Sequence, residues 1–479
     1  MESTSAGFKK SLKLFDSTAI VVGSMIGSGI FIVSCDVARS VGSPGWLMVT
    51  WIVTGILTLF AALSYGELAG MMPKAGGQYV YLREAYNPMF GFLYGWTLFL
   101  VIQTGTIAAV AMAFAKYSGV LIPWISEDNV FLDLGFTKIS SVHLIAIFSI
   151  ALLTWMNTRG IKTGKWIQNF FTSTKVIGLA GLIIVGFIVA GTTGAWEINS
   201  SVFWDSQTIS EKQILPISGF PLVLMIGTAM VGTLFTSDAW NNVTFTGGEI
   251  VNPKRNIPMS LFLGTLTVTV IYLLANLVYL YLLPLRGTPE GITVAERGIQ
   301  YATNQRLGSA ALETIFGAGG AIIMAVFIMI STFGCNNGII LSGARVYYSM
   351  ADDGLFFKQA GKLNKRGVPG AALVVQTVWA SLLCLSGSYG QLLDYVVFAV
   401  LIFYVMTIIG VFILRVKRPD AERPYKAFGY PVIPAIYIIC ATFIMVDLLI
   451  YKQDYTWPGL IIVLTGIPVY FLWKRNAKK

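Results

Sequence analysis

Apolar residues run through most of this chain in long blocks separated by short polar stretches. Twelve blocks fall at 15–41, 45–72, 89–123, 141–158, 166–191, 219–247, 257–284, 310–347, 369–387, 390–415, 431–451 and 456–474. A helix needs about 20 apolar residues to cross about 30 Å of hydrocarbon. The pattern therefore predicts an all-α polytopic membrane protein with twelve transmembrane helices, here called segments 1 to 12. Two segments are interrupted. Segment 1 contains Gly23, Ser24, Met25, Ile26, Gly27, Ser28, Gly29 and Ile30, and segment 6 contains Phe235, Thr236, Ser237, Asp238, Ala239, Trp240, Asn241 and Asn242. Glycine clusters and a carboxylate are costly in lipid unless the freed backbone lines a cavity or is buried in protein. Two breaks five segments apart predict broken helices 1 and 6 in a 5+5 inverted repeat, with a substrate site where the breaks meet.

The predicted organisation follows from that spacing. Residues 1–14 form the N-terminus, 15–191 the first repeat, 192–218 an external loop, 219–415 the second repeat and 416–430 a cytoplasmic loop. Segments 11 and 12 (431–474) lie outside the repeat, and 475–479 end the chain. The loop from Pro73 to Pro88 is amphipathic and reads as a short interfacial helix. A second short helix is expected near Val294 to Thr303, and segments 3 and 8 are long enough to tilt or to extend past the bilayer.

Composition narrows the function classes. With 55% hydrophobic and 12% charged residues, the chain is not an ordinary soluble domain. Its net charge of +10 does not indicate a nucleic-acid partner, because only Lys138, Lys212, Arg286, Arg297, Arg306 and Lys452 fall in loops on one side. Most other basic residues cluster on the opposite side, as the positive-inside rule requires, which predicts both termini in the cytoplasm and a multi-pass plasma-membrane protein, the inner membrane if bacterial. Cys35, Cys335, Cys384 and Cys440 all lie within apolar segments, so no disulfide framework is expected. Segment 1 is too long for a cleaved signal sequence. Asn199 to Ser201 forms a glycosylation sequon in the external loop.

Five stretches in order resemble the amino acid-polyamine-organocation transporters, and within them the L-type amino acid transporter branch, especially its prokaryotic homologues. They are GSMIGSGIF (Gly23 to Phe31), SYGELAGMMPKAGGQYVYLREAY (Ser64 to Tyr86), GGEIVNPKRNIP (Gly247 to Pro258), CNNGIILSGARVYYSMADDGL (Cys335 to Leu355) and RVKRPDAERPYK (Arg415 to Lys426). The resemblance implies a leucine-transporter-like fold and a sodium-independent amino acid carrier. Heavy-chain-associated animal members have a cysteine in the loop after segment 3. Residues 119–140 contain none, so no disulfide-linked heavy chain is expected.

The candidate site combines residue chemistry with that resemblance. At the segment 1 break, Met25, Ile26, Gly27, Ser28, Gly29 and Ile30 would present a half-helix N-terminus to a carboxylate; close helix packing through small residues is the alternative. In segment 6, Thr236 and Ser237 would present backbone acceptors to an ammonium group, and Asp238 would either touch that ammonium or hold the half-helices together. The resemblance makes Phe235 an aromatic gate, with ordinary packing as the alternative, and Asn337 a site-lining amide, with a bond to another helix as the alternative. It also places Lys175 where related carriers bind sodium between segments 1, 5 and 8. An ammonium in mid-segment must face protein, since its cost in lipid is at least about 2.5 kcal/mol. Glu67 and Glu249 are expected to pair with Arg345 or Arg255 in an inner gate.

No nucleophile-base-acid set, metal-ligand spacing or phosphate loop is visible, so neither an enzyme nor a metal or other cofactor is expected. A channel fits broken helices less well than alternating access. The short loop at 248–257 disfavours a six-plus-six carrier. Together with the resemblance, the sequence reads as a sodium-independent exchanger of neutral L-amino acids working by alternating access, with a proton-coupled symporter or a non-transporting amino acid sensor as alternatives. Its partners would be a small amino acid and the lipid bilayer.

Overall fold

The computed structural model of the chain describes residues 8–133, 138–210, 213–386 and 389–477. Among these, ten helices are long and apolar enough to cross a membrane. The difference from twelve lies in segments 1 and 9. Segment 1 is split into Leu14–Met25 and Ser34–Val41, of 12 and 8 residues, and segment 9 is Gly370–Cys384, of 15. At about 1.5 Å per residue, none of these three reaches the far side of the hydrocarbon alone.

Local sequence explains where the long helices begin. Ser43 caps Pro44–Met71, its hydroxyl accepting from the Trp46 N–H, and Pro44 occupies a first-turn position where a missing N–H costs nothing. Asn87 does the same for the Pro88–Leu121 helix by accepting from Met89 and Phe90. That helix contains a π-helical turn at Leu98–Ile102, and the Thr104 hydroxyl takes the Phe99 carbonyl, five residues back, at 2.6 Å.

Glycines let the helices approach closely. A Cβ on Gly264 of Pro253–Leu282 would lie 2.4 Å from Val21, and one on Gly55 would lie 2.4 Å from Thr269, so segment 7 packs against segments 1 and 2 nearly backbone to backbone. Large apolar side chains such as Trp166, Ile177, Ile188 and Phe220 point outward, as a lipid-facing surface requires.

Several expectations are corrected. The fold is not purely helical: Val130–Asp133 pairs antiparallel with Lys138–Ser140, and Gln207–Ser210 with Gln213–Pro216. These hairpins are too short to show as apolar alternation. Segment 8 does not start at 310. A separate helix, Leu307–Phe316, ends at Gly317, whose φ of +63° favours glycine, and Ala318–Asp352 begins afresh. The expected interfacial helix exists as Gln78–Ala85, but Gln78 to Leu82 are buried, so it packs into the protein and does not lie on a membrane surface. The second short helix covers only Val294–Arg297.

Asn199 is also no open glycosylation site. It is buried, and its amide donates to the Leu280 and Leu283 carbonyls at 2.6 and 2.9 Å while accepting from the Leu285 N–H at 2.7 Å.

Candidate functional site

The helix Leu14–Met25 stops because Ile26 takes an extended conformation (φ −76°, ψ 97°), and a short turn, Gly29–Phe31, precedes Ser34–Val41. Stopping a helix frees its last carbonyls, which must find partners when buried. Each does. The Lys175 Nζ donates to the Gly23 and Ile26 carbonyls at 2.7 and 2.6 Å and to the Ser331 carbonyl at 3.1 Å. Cys335 Sγ lies 3.0 Å from the Ser24 carbonyl, and the Tyr272 hydroxyl donates to that of Met25 at 3.0 Å. The Ser331 hydroxyl is 3.2 and 3.1 Å from the carbonyls of Ile26 and Gly27. Segments 5, 7 and 8 therefore converge on the break in segment 1.

The second break lies against the first. A Cβ on Gly29 would fall 2.1 Å from Thr236 Oγ1, so only glycine allows this approach. Tyr272 joins the two by reaching the Thr236 carbonyl at 3.2 Å. Helix Gly219–Thr236 ends at Ser237, and Ala239 then adopts φ +65°, a left-handed conformation that is costly for a residue with a Cβ. The chain resumes helical form only for Asn242–Phe245. Phe235 ends the first half-helix in a buried position.

Asp238 is half-buried, and its carboxylate accepts from the Tyr404 hydroxyl of segment 10. Trp240 meets Tyr65 edge-on and Tyr404 at a tilt, with ring centroids 4.8 and 5.0 Å away. Asn241 donates to Gln78 at 2.9 Å, and Gln78 in turn donates to Thr407 at 3.1 Å. Two cavities flank Asp238, of about 10 and 20 Å³. Gln78, Gln103, Asn242 and Tyr404 line the first, and Thr58, Ser237 and Tyr437 the second. Each has room for about one water molecule and none for an amino acid, so the site is closed in this structure.

The end of the bundle holding the N-terminal stretch is sealed. Ser11 and Leu12 donate backbone bonds to the Glu249 carbonyl at 2.8 and 3.0 Å, and Val251 donates to that of Leu12 at 2.8 Å. Glu249 pairs with Arg345 at 3.0 Å, both only 1% exposed. Asp16 pairs with Lys165 at 2.6 Å.

The structure brings Met25 to Ile30, Phe235 to Asp238 and Lys175 together. It does not bring Asn337 to them. That side chain is buried toward segments 4 and 5, bonded to Asn157 at 2.9 Å and Gln168 at 3.0 Å, which joins helices instead of lining either small cavity. Glu67 pairs with neither Arg345 nor Arg255. It accepts from Arg415 at 2.6 and 2.9 Å, Arg423 at 3.2 Å and the Ala427 N–H at 2.7 Å, while Arg255 is exposed. The reason is the fold of residues 415–427, which returns its arginines to segment 2. Sequence reasoning also missed Tyr272, Ser331, Tyr404, Gln78 and Gln103. Tyr272 and Tyr404 carried a signal, since a tyrosine hydroxyl deep in an apolar segment needs a polar partner.

Comparison with known proteins agrees with this architecture. The amino acid permease family model matches residues 12–472. The large neutral amino acids transporter small subunit 2 of Mus musculus is 30% identical over 489 residues, spanning 100% of this chain and 85% of that protein. The serine/threonine exchanger SteT of Bacillus subtilis is 29% identical over 484 residues, with 99% of each covered. The b(0,+)-type amino acid transporter 1 of Mus musculus is 28% identical over 484 residues, covering 98% of this chain and 89% of that one. With two apposed helix breaks inside a polytopic apolar bundle and a family match over nearly its whole length, the chain belongs to the amino acid permease family within the amino acid-polyamine-organocation superfamily, and is a membrane transporter and not an enzyme.

Proposed function

We propose that the protein is a sodium-independent exchanger of neutral L-amino acids that works by alternating access. In this reading segments 1 to 10 form the inverted repeat, segments 11 and 12 lie outside it, and all twelve cross the plasma membrane with both termini cytoplasmic. The substrate carboxylate docks at the start of the Gly29–Phe31 turn and its ammonium at the carbonyls around Thr236 and Ser237. Phe235 closes over it. Glu249 with Arg345, backed by Glu67 with its own arginines, forms the inner gate, and no disulfide-linked heavy chain is needed.

One observation carries the reading: the Lys175 ammonium bridges the segment 1 break to segment 8, bonded to three carbonyls at 2.6 to 3.1 Å. A fixed cation there supplies the charge that a bound sodium ion would otherwise bring to released carbonyls. Counterflow in proteoliposomes is expected to be unchanged when choline replaces sodium. A sodium requirement would refute the proposal.

Asp238 favours one further reading, because its carboxylate lines both small cavities and a cationic side chain would complement it. A competition panel of all twenty amino acids against one transported label decides. Competition by arginine alone would replace the neutral class with the cationic one.

A further inference from the structure

A third polar cavity lies at the opposite end of the bundle from the Glu249–Arg345 pair. It measures about 290 Å³ and is lined by Arg297, Arg306, Ser309 and Glu313 together with the ends of segments 3 and 8. That is near the lower end of the roughly 300–1,000 Å³ found for ligand pockets, a size for a small solute and not a peptide.

Its polar groups are incompletely satisfied. Arg306 donates one N–H to the Lys116 carbonyl at 3.2 Å, and its guanidinium lies 5.4 Å from the Tyr117 ring centroid. Its Nε is nevertheless buried without an acceptor among the described residues. Ser309 is 7% exposed, and its hydroxyl is likewise unpartnered there. Arg306 immediately precedes the helix Leu307–Phe316 and Glu313 stands about two turns along it, and both line the cavity. Buried donors without partners are rare enough in native folds to require an explanation.

We infer that this cavity is a second binding site, which holds one small amino acid zwitterion before it reaches the helix breaks. The carboxylate would accept from Arg306 and Ser309, and the ammonium would face Glu313. A simple anion would satisfy Arg306 but would leave Glu313 facing a like charge. The position suits a route inward. Arg39 donates to the Gln300 carbonyl at 2.6 Å and the Gln300 side-chain amide donates to the Ala38 carbonyl at 3.1 Å, which fastens the loop bearing the cavity to Ser34–Val41, the half-helix that follows the segment 1 break.

The inference rests on reading the chain as an amino acid carrier, and the test separates the two. The full chain in detergent is dialysed to equilibrium against radiolabelled L-serine and, in parallel, L-leucine. Two molecules per chain are expected for at least one of them. Arg306→Gln and Glu313→Gln should each weaken the second molecule roughly tenfold or more while leaving the first, as expected for loss of a charge-assisted contact. Arg306→Lys should recover part of the loss, and propionate, which lacks the ammonium, should not displace the second molecule. Glu313→Gln removes no bond to a described residue, so it remains informative if Arg306→Gln folds poorly. One molecule per chain, or two that neither substitution affects, overturns the inference and leaves the carrier reading intact. No binding of any amino acid refutes the carrier reading itself.

Discussion

Lys175→Ala removes the cation that, among the described residues, ties the segment 1 break to segment 8. Its ammonium makes three bonds, two of them to carbonyls of segment 1 at 2.7 and 2.6 Å and one to segment 8 at 3.1 Å. After truncation the Ile26 carbonyl keeps the Ser331 hydroxyl at 3.2 Å, whereas Gly23 loses its lysine. The net loss is therefore nearer one charged hydrogen bond than three, about 1.5–3 kcal/mol. If the bond forms in only one of two alternating states, that energy shifts their equilibrium by roughly 10- to 150-fold. The expected result is strongly reduced transport by a protein that still folds, with apparent affinity altered unequally on the two faces. Substrate titration from each side of oriented vesicles measures this. Wild-type affinity on both faces would show that the lysine biases no conformational equilibrium.

Gly29→Ala places a methyl group 2.1 Å from Thr236 Oγ1, so transport should collapse through a steric cost of about 1–3 kcal/mol, and a second change, Thr236→Ala, should recover part of it in the same uptake assay. Arg345→Ala leaves Glu249 charged, buried and unpaired, which should cost about 3–5 kcal/mol and lower the melting temperature in a detergent thermal-shift assay; an unchanged melting point would mean that the pair is not closed in solution. Asn199→Ala deprives three backbone groups of their partner and should destabilise the fold by about 1–3 kcal/mol, whereas expression of the wild type in a glycosylating host should give no glycan mass at this position.

The two breaks were legible because glycine clusters and a carboxylate violate the rules for lipid-exposed helix, and those rules act on the chain alone. Lys175 was legible for the same reason: an ammonium in mid-segment has to find acceptors inside the protein. What the sequence withheld was direction. Asn337 and Glu67 have chemistry suited to either a site or a helix contact, and which one applies depends on the rotation of segment 8 and on the return path of residues 415–427. Neither is encoded in spacing along a single segment. Helix ends were obscured where an apolar run continues through a bend, as at Gly317, because hydropathy does not register a change of backbone direction. The short hairpins escaped because strands of three or four residues are too brief for a periodic signal.

The π-helical turn at Leu98–Ile102 acts as a one-residue phase shift in segment 3. An α-helix advances about 100° per residue, so a five-residue step normally points a side chain well away from its starting face. The wider turn cancels part of that rotation, and Leu98, Ile102 and Gln103 all border the same small cavity beside Asp238. Deleting a single residue from the turn would restore ordinary winding and leave Gln103 four residues from Leu98, still on the same face, whereas rewinding the turn to α-helix at unchanged length would rotate everything that follows by about 100°. Only in the second case would Gln103 and Thr106 swing off the cavity, although every residue in contact with it keeps its identity. The wide turn therefore absorbs one residue of length while holding this wall in place.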